Sequence, residues 1–466
     1  MNRLLLVSIL ILPAMLPGSV QGETVIWAPP PLAAIIDEGL EQNQDIQSLQ
    51  AQVEASKELI PFAGSLEDLR LGFAVLNLPT DSFDFNQEAM TQKQVFVAQK
   101  VPWFGKLDLR SQRQGLEATR QIALLKAKKL ELAKKIATTY YELGLIKKGL
   151  EINGRLMEMV GQLLRVAETR YASGVGLQQD VLQAQVELSK LLDEKIVLEK
   201  KRRTLEDRIN ALLNRESFSS VKAPERPVYP ALDLEVDLLQ KQVLKDNPWL
   251  KVRLASIDRA TVEIKLAEKD YWPDMDFKVA YGQREDTETG QDRADFVSGS
   301  VVFKIPLWQK NRQDKKFAAS KKKHEAALKA YRNLAETLPH RVDAIATEIT
   351  NTQKNYRLYA DALMVQAEQW ARSSLTAYEV GKVEFNTMIN AQIRLLRLEL
   401  RAERYLFQVY QKRAELEEVL GGALKLRTPR DETAWSRRQK QILEKAVDKV
   451  HTESLAKNLL KVGEAI

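Results

Sequence analysis

A chain of 466 residues with 44% hydrophobic and 29% charged side chains has the balance of a folded protein with a sizeable core. Its net charge of +7 is the small difference between 70 basic and 63 acidic residues interleaved along the same segments, which argues against a nucleic-acid partner. With no cysteine at all, disulfides, cysteine-ligated zinc, thiol catalysis and a lipidated N-terminal cysteine are excluded together.

Residues 1–22 read as a cleavable signal peptide: Asn2 and Arg3 precede an apolar run from Leu4 to Leu16, and Pro17, Gly18 and Val20-Gln21-Gly22 follow. No other run reaches the roughly 18 apolar residues of a membrane-spanning helix, so an exported chain without such helices is expected. Residues 23–216 form a first repeat. A helix over 32–60 leads to a strand pair over about 67–102, where Leu69, Leu71, Phe73 and Val75 alternate with Arg70, Gly72, Ala74 and Leu76. Pro102 ends the pair and Gly105 opens a long helix, 105–173, with no internal proline and apolar residues at three- and four-residue steps. Its roughly 69 residues predict a rod of about 100 Å. Gly174-Val175-Gly176 turns the chain into an antiparallel helix over 177–214.

Residues 217–230, with Pro224, Pro227 and Pro230, are the linker to a second repeat, 231–422. It holds a helix, a strand pair over about 274–306, a long helix over 310–380, a turn at Gly381 and a helix over 382–420. Met275, Phe277, Val279 and Tyr281 alternate with Asp276, Lys278, Ala280 and Gly282; Val297, Gly299, Val301, Phe303 and Ile305 alternate with Ser298, Ser300 and Lys304. Pro339 is expected to kink or interrupt the second rod after Leu338. A charged tail, 423–466, carries Ile442, Ala446 and Val450 at the spacing of an amphipathic helix against the middle of the rods.

The repeat is visible residue by residue. Asn43 falls over Asn247, and Val101-Pro102 with Lys106 over Ile305-Pro306 with Lys310, at one offset of 204; Tyr171, Gly174, Ala184 and Gln185 fall over Tyr378, Gly381, Ala391 and Gln392 at 207, so three residues enter between. Two readings of the strands are open, a soluble hairpin packed on helices or ten-residue membrane strands with Trp103, Trp272 and Trp308 as interfacial aromatics. If they cross a membrane, four strands cannot close a barrel, and several protomers must share one.

Gln99-Lys100-Val101-Pro102-Trp103-Phe104-Gly105-Lys106 and Lys304-Ile305-Pro306-Leu307-Trp308 resemble the strand-to-helix junctions of the TolC family of outer-membrane efflux proteins, and the first is nearest its heavy-metal branch. Arg170-Tyr171-Ala172-Ser173-Gly174 with Asp180 to Gln185, and Tyr378 to Gln392, resemble the family's two hairpin tips. The resemblance covers nearly the whole chain after the signal peptide. It implies a mainly α chain whose hairpins build a periplasmic α-barrel and whose strands join those of two copies in a twelve-strand barrel. This homotrimer would sit in outer-membrane lipid of a Gram-negative bacterium and conduct substrates, metal ions among them, passively from an inner-membrane efflux pump and a periplasmic adaptor protein. The adaptor-docking tips carry over onto Gly174, Val175, Gly176 and Leu177, and onto Gly381, Lys382, Val383 and Glu384. The tunnel constriction carries over onto Asp180, with Thr387 and Asn390 where other members carry acids; Asp180 also suits a helix start.

No catalytic residues, cofactor or metal site are expected: there is no phosphate-binding glycine loop and no nucleophile elbow, and His324, His340 and His451 stand far apart as solvated helix positions. The rival reading is a periplasmic adaptor or structural coiled coil. An adaptor has one hairpin between split β-domains, whereas here two hairpins each follow strands.

Overall fold

The computed structural model describes residues 25–230, 232–287 and 289–424; the signal peptide and the tail with Ile442, Ala446 and Val450 lie outside them. Residues 232–234, which carry no regular secondary structure, are grouped outside the unit formed by the other described residues, and that unit is the subject below. Its elements in chain order are α1 (Pro30–Gln42), α2 (Gln44–Gly64), β1 (Arg70–Leu76), β2 (Gln92–Val101), α3 (Lys106–Ala172), α4 (Gln178–Leu212), α5 (Val236–Asp246), α6 (Pro248–Lys269), β3 (Asp274–Gln283), β4 (Phe296–Lys304), α7 (Gln313–Arg357), α8 (Met364–Glu379) and α9 (Phe385–Leu420).

Two rods organise the unit. One is α3, a single α-helix of 67 residues, about 100 Å at helical rise. The other is α7 and α8, joined through a π-helical stretch, Leu358–Leu363. Shorter helices line them end to end: α2 and α4 along one side of α3, α6 and α9 between α3 and the second rod. This arrangement lets alanine-rich faces meet. Ala127, Ala133 and Ala137 of α3 are buried beside Leu130, Ile136 and Leu143, and at Gly144 an added Cβ would lie 2.4 Å from Pro224 of the linker and 2.6 Å from Phe407. A second cluster, Ile152, Leu156, Val160, Leu191, Phe385, Met388 and Ile389, packs the lower third.

The structure corrects four sequence expectations. Residues 32–60 are not one helix. Asn43 leaves the helical conformation, its side chain accepts from the N–H groups of Asp45 and Ile46 to start α2, and its amide donates to the Leu212 carbonyl at 3.1 Å. Asn247 does the same between α5 and α6, accepting from the Leu250 N–H and donating to the Val419 carbonyl at 2.7 Å. Each break therefore ties an entering helix to the last turn of the helix returning from a tip. Second, Pro339 does not interrupt the rod: α7 continues as one α-helix through it, and a π-helical stretch follows at 358–363. Third, β4 ends at Lys304, leaving Ile305 outside it. Fourth, Lys310 is not the counterpart of Lys106: it is an exposed residue of a 3-10 turn, Gln309–Asn311, and the second rod begins at Gln313. The three extra residues of the second copy enter at this turn, which is why the offset passes from 204 to 207 before the rods begin.

The four strands form one antiparallel sheet in the order β1-β2-β3-β4. Its register puts Leu71, Val97, Val279 and Gly299 abreast, then Phe73, Val95, Tyr281 and Val297, so the apolar alternation of every strand falls on one face. That face is open: Phe73 is 77% and Val297 78% exposed. The other face carries Gly72, Gln94, Phe96, Ala98, Lys278, Ala280, Gly282, Ser298 and Ser300. β1 and β4 are the edges and have no partner among the described residues.

Asn247 is buried whereas Asn43 is half-buried. Asn247→Ala loses a helix cap and leaves the Val419 carbonyl unpaired away from water, a destabilisation of about 2–4 kcal/mol, and Asn43→Ala costs less. Thermal unfolding of the two variants checks the order; an equal or reversed loss would refute the account.

Candidate functional site

Three places gather the sequence-predicted site residues. At the first strand-to-helix junction, Pro102 closes β2 and Gly105, at φ +78°, makes the left-handed turn that starts α3. Lys106 is thereby driven inward and is only 4% exposed. Its ammonium donates to Asp274 Oδ1 at 2.7 Å and stands 3.6 Å from Asp270, while Asp274 also accepts from the Trp103 N–H at 3.0 Å. Trp103 and Trp272 stack with centroids 5.1 Å apart. This buried pair fastens the base of β3 to the head of α3. The second junction lacks it: Pro306 leads through exposed Leu307 and Trp308 into the 3-10 turn, and a cavity of about 540 Å³ separates this stretch from Lys106, Asp270 and Trp272.

At the other end of the rods are the two hairpin tips. Gly174 and Gly381 both adopt φ +73°, with open space where a side chain would project. In the first tip the N–H groups of Val175 and Gly176 both donate to the Arg170 carbonyl, at 3.0 and 2.9 Å; in the second Lys382 N–H donates to Ala377 at 2.8 Å. At Gly176 an added Cβ would meet the Arg170 and Tyr171 backbone at 3.0 Å, so this position too requires glycine. The apex is apolar and open: Val175 is 69%, Leu177 58% and Val380 63% exposed. Lys382 and Glu384 are exposed beside half-buried Val383.

The tips are cross-linked by contacts that sequence reasoning missed. The Arg170 guanidinium lies 4.9 Å from the Tyr378 ring centroid, and Gln183 donates to Asn386 at 2.7 Å. Asn390 spends its amide on Asn386 at 2.5 Å, and Thr387 is exposed. Asp180 stands in the first turn of α4. Burial pushes its carboxyl above the ordinary aspartate range, Arg170 pulls it down, and Glu384 pushes it up again. The charge of Glu384, a residue of the docking set, is thus felt at Asp180. Only the tyrosine and glycine positions of the repeat signalled this cluster in advance. Among the described residues no group of three or more histidine, aspartate or glutamate side chains is placed to hold a metal, and no helix is long and apolar enough to cross a membrane.

A model of the outer membrane efflux protein family matches residues 35–215 and 239–422, more than half the chain. The chain belongs to that family. Among curated relatives it is 23% identical, over 40% of this chain and 42% of the other, to the cobalt-zinc-cadmium resistance protein CzcC of Cupriavidus metallidurans. The chain spans about half or less of the length of the curated relatives it matches. Among solved structures, the outer-membrane channel OprN and the outer membrane protein VceC of Vibrio cholerae each superpose with a TM-score of 0.72 at 16% identity, covering 84% of this chain and 90% and 96% of theirs. The fold of this family member is therefore that of outer-membrane channels, and its two matched segments are the two repeats with their tips.

Gly174→Val and Gly381→Val force a β-branched residue into the left-handed region, which costs about 1–2 kcal/mol or more at the tip, while the open space leaves the rest of the packing untouched. Hydrogen exchange at Val175, Gly176 and Lys382 should accelerate with the overall melting unchanged. For Asp180 the raised folded pKa means that its neutral form is the stabilising one: this group's contribution to stability is fully present below its unfolded pKa and is lost as pH rises through the folded pKa. A carboxyl-carbon titration should place its midpoint above that of free aspartate, and Arg170→Ala should raise it further. A midpoint at or below the free value would refute the assignment.

Proposed function

We propose that this chain is one protomer of a trimeric outer-membrane duct, which conducts its substrates passively from an inner-membrane pump, through a periplasmic adaptor, to the exterior. One observation carries the reading: the sheet has a largely apolar, exposed face and two edges without a partner among the described residues. Strands of 7 to 10 residues with one such face suit lipid, but an open edge in hydrocarbon costs several kcal/mol per unpaired backbone group. Two copies would supply eight strands, whose interior side chains fill; three supply twelve and leave a lumen. The rods, about 100 Å long, then cross the periplasm and carry the tips to the adaptor. The apolar apexes at Val175, Leu177 and Val380 support docking there, together with Gly174, Gly176, Gly381, Lys382, Val383 and Glu384. Asp180 with Glu384 forms the acidic part of the constriction, and Thr387 and Asn390 line it as neutral groups. The likeness to a protein named for cobalt, zinc and cadmium resistance favours metal ions as cargo.

In detergent, particle mass corrected for bound detergent should equal three chains. Gly174→Val and Gly381→Val should abolish export at undiminished outer-membrane abundance. A stable monomer or dimer with intact β-signal would sink the trimer, and normal export by both variants the docking role.

A further inference from the structure

If three sheets close one barrel, the reading on which this inference rests, the face opposite the apolar one lines the lumen, and its charges decide what the lumen favours. Of its cations, Arg70 is paired with Asp276 at 3.2 Å and Lys100 with Glu67 at 2.8 Å. Lys304 stands at the last residue of β4, at the base. Lys278, in the interior of β3, forms no ion pair among the described residues. Its ammonium lies 4.0 Å from the centroid of the Phe96 ring and 3.4 Å from Gln94 Oε1, neither of which neutralises it.

The height of that charge is fixed by a glycine. Gly72 is the neighbour of Phe96 on β1, and an added Cβ there would stand 2.3 Å from the Phe96 ring. The missing side chain lets the ring lie down across β1 and offer its face to Lys278. On the same side of the sheet, Gln92 lies over Gly282 in the same manner, with only 1.7 Å between its Oε1 and an added Cβ. Bulky groups thus fold onto glycines and leave the lumen to the ammonium.

We propose that Lys278 and its two symmetry copies form a positive ring in the barrel lumen that favours anionic and charge-neutralised solutes over free cations, so that metal cargo would pass as complexes with anionic ligands. Twelve tilted strands about 4.8 Å apart give a barrel of about 12 Å backbone radius. Once side chains are allowed for, the lumen half-width of about 8 Å is within the screening length of about 10 Å at 0.1 M salt and beyond that of about 3 Å at 1 M. The preference therefore holds at low ionic strength and vanishes at high.

The cysteine-free chain supplies its own test. Ser300, the register partner of Lys278, faces the proposed lumen; Val301, the partner of Phe277, faces the proposed lipid. Ser300→Cys and Val301→Cys variants of the full chain, reconstituted in lipid vesicles, are treated with membrane-impermeant methanethiosulfonates bearing a sulfonate or a trimethylammonium group, with rates normalised to free thiol. Ser300→Cys should react and Val301→Cys should not. At 10 mM salt the anionic-to-cationic rate ratio should fall several-fold when Lys278→Gln is added, persist with Lys278→Arg, and be insensitive to either at 1 M. A reactive Ser300→Cys and a protected Val301→Cys, with a ratio indifferent to Lys278→Gln, overturns the ring and leaves the duct standing. A Val301→Cys as reactive as Ser300→Cys overturns the assignment of faces, and both readings with it.

Discussion

Backbone hydrogen bonding at the edges of the sheet is the constraint from which the remaining architecture follows. β1 and β4 each present a row of N–H and C=O groups without a partner among the described residues, beside an exposed face rich in valine and phenylalanine. In hydrocarbon such rows must be paired, so under the proposed duct other copies of the same sheet would satisfy them, and association would be part of folding rather than a later step. Once a lumen exists, the small and polar residues of the inner face have a role that they would lack in a packed hairpin, and the glycines beneath Phe96 and Gln92 keep that space clear.

The sheet must also be joined rigidly to the rods, and the two junctions divide that work unequally. The Lys106 ammonium, held by Asp274 and Asp270 under stacked tryptophans, is buried, and a buried charge is tolerated only with partners in place. The second junction is open and has three more residues. At mid-length, the chain is locked again by Glu417, fully buried, which accepts from Arg413 and from the N–H groups of Trp27 and Leu424. Burial pushes this carboxyl up and Arg413 opposes it. The segment entering the unit, the end of α9 and the residues just after it thus meet at one polar knot.

Much of this was legible in the sequence because long rods and alternating strands leave periodic traces. The α3 boundaries follow from the proline at 102 and the glycine at 174; both tips follow from glycines whose positive φ no β-branched residue shares. What escaped were features with no periodicity. Asn43 and Asn247 sat in the repeat as matched letters, but their capping and their bonds to Leu212 and Val419 depend on helices far away in sequence. Pro339 does not end α7, because a rod packed along its length tolerates one missing bond. Lys310 misled because an identical residue after an identical proline conceals a changed path. Matching by offset pairs Asp180 with Thr387, and it gave no sign that the charge of Glu384 acts on Asp180.

The π-helical stretch has a bearing on symmetry. Both rods contain 67 residues, from Lys106 to Ala172 and from Gln313 to Glu379, and above Leu358 they are regular α-helix alike. A π turn holds more residues than an α turn, so below it the side chains of α8 leave phase with those at equivalent positions of α3. If three chains assemble as proposed, in a wall where the two rods alternate, six near-equal staves would become three of one kind and three of another towards the tips. An adaptor docking there would meet two classes of groove, as three pairs of unlike contacts rather than six copies of one.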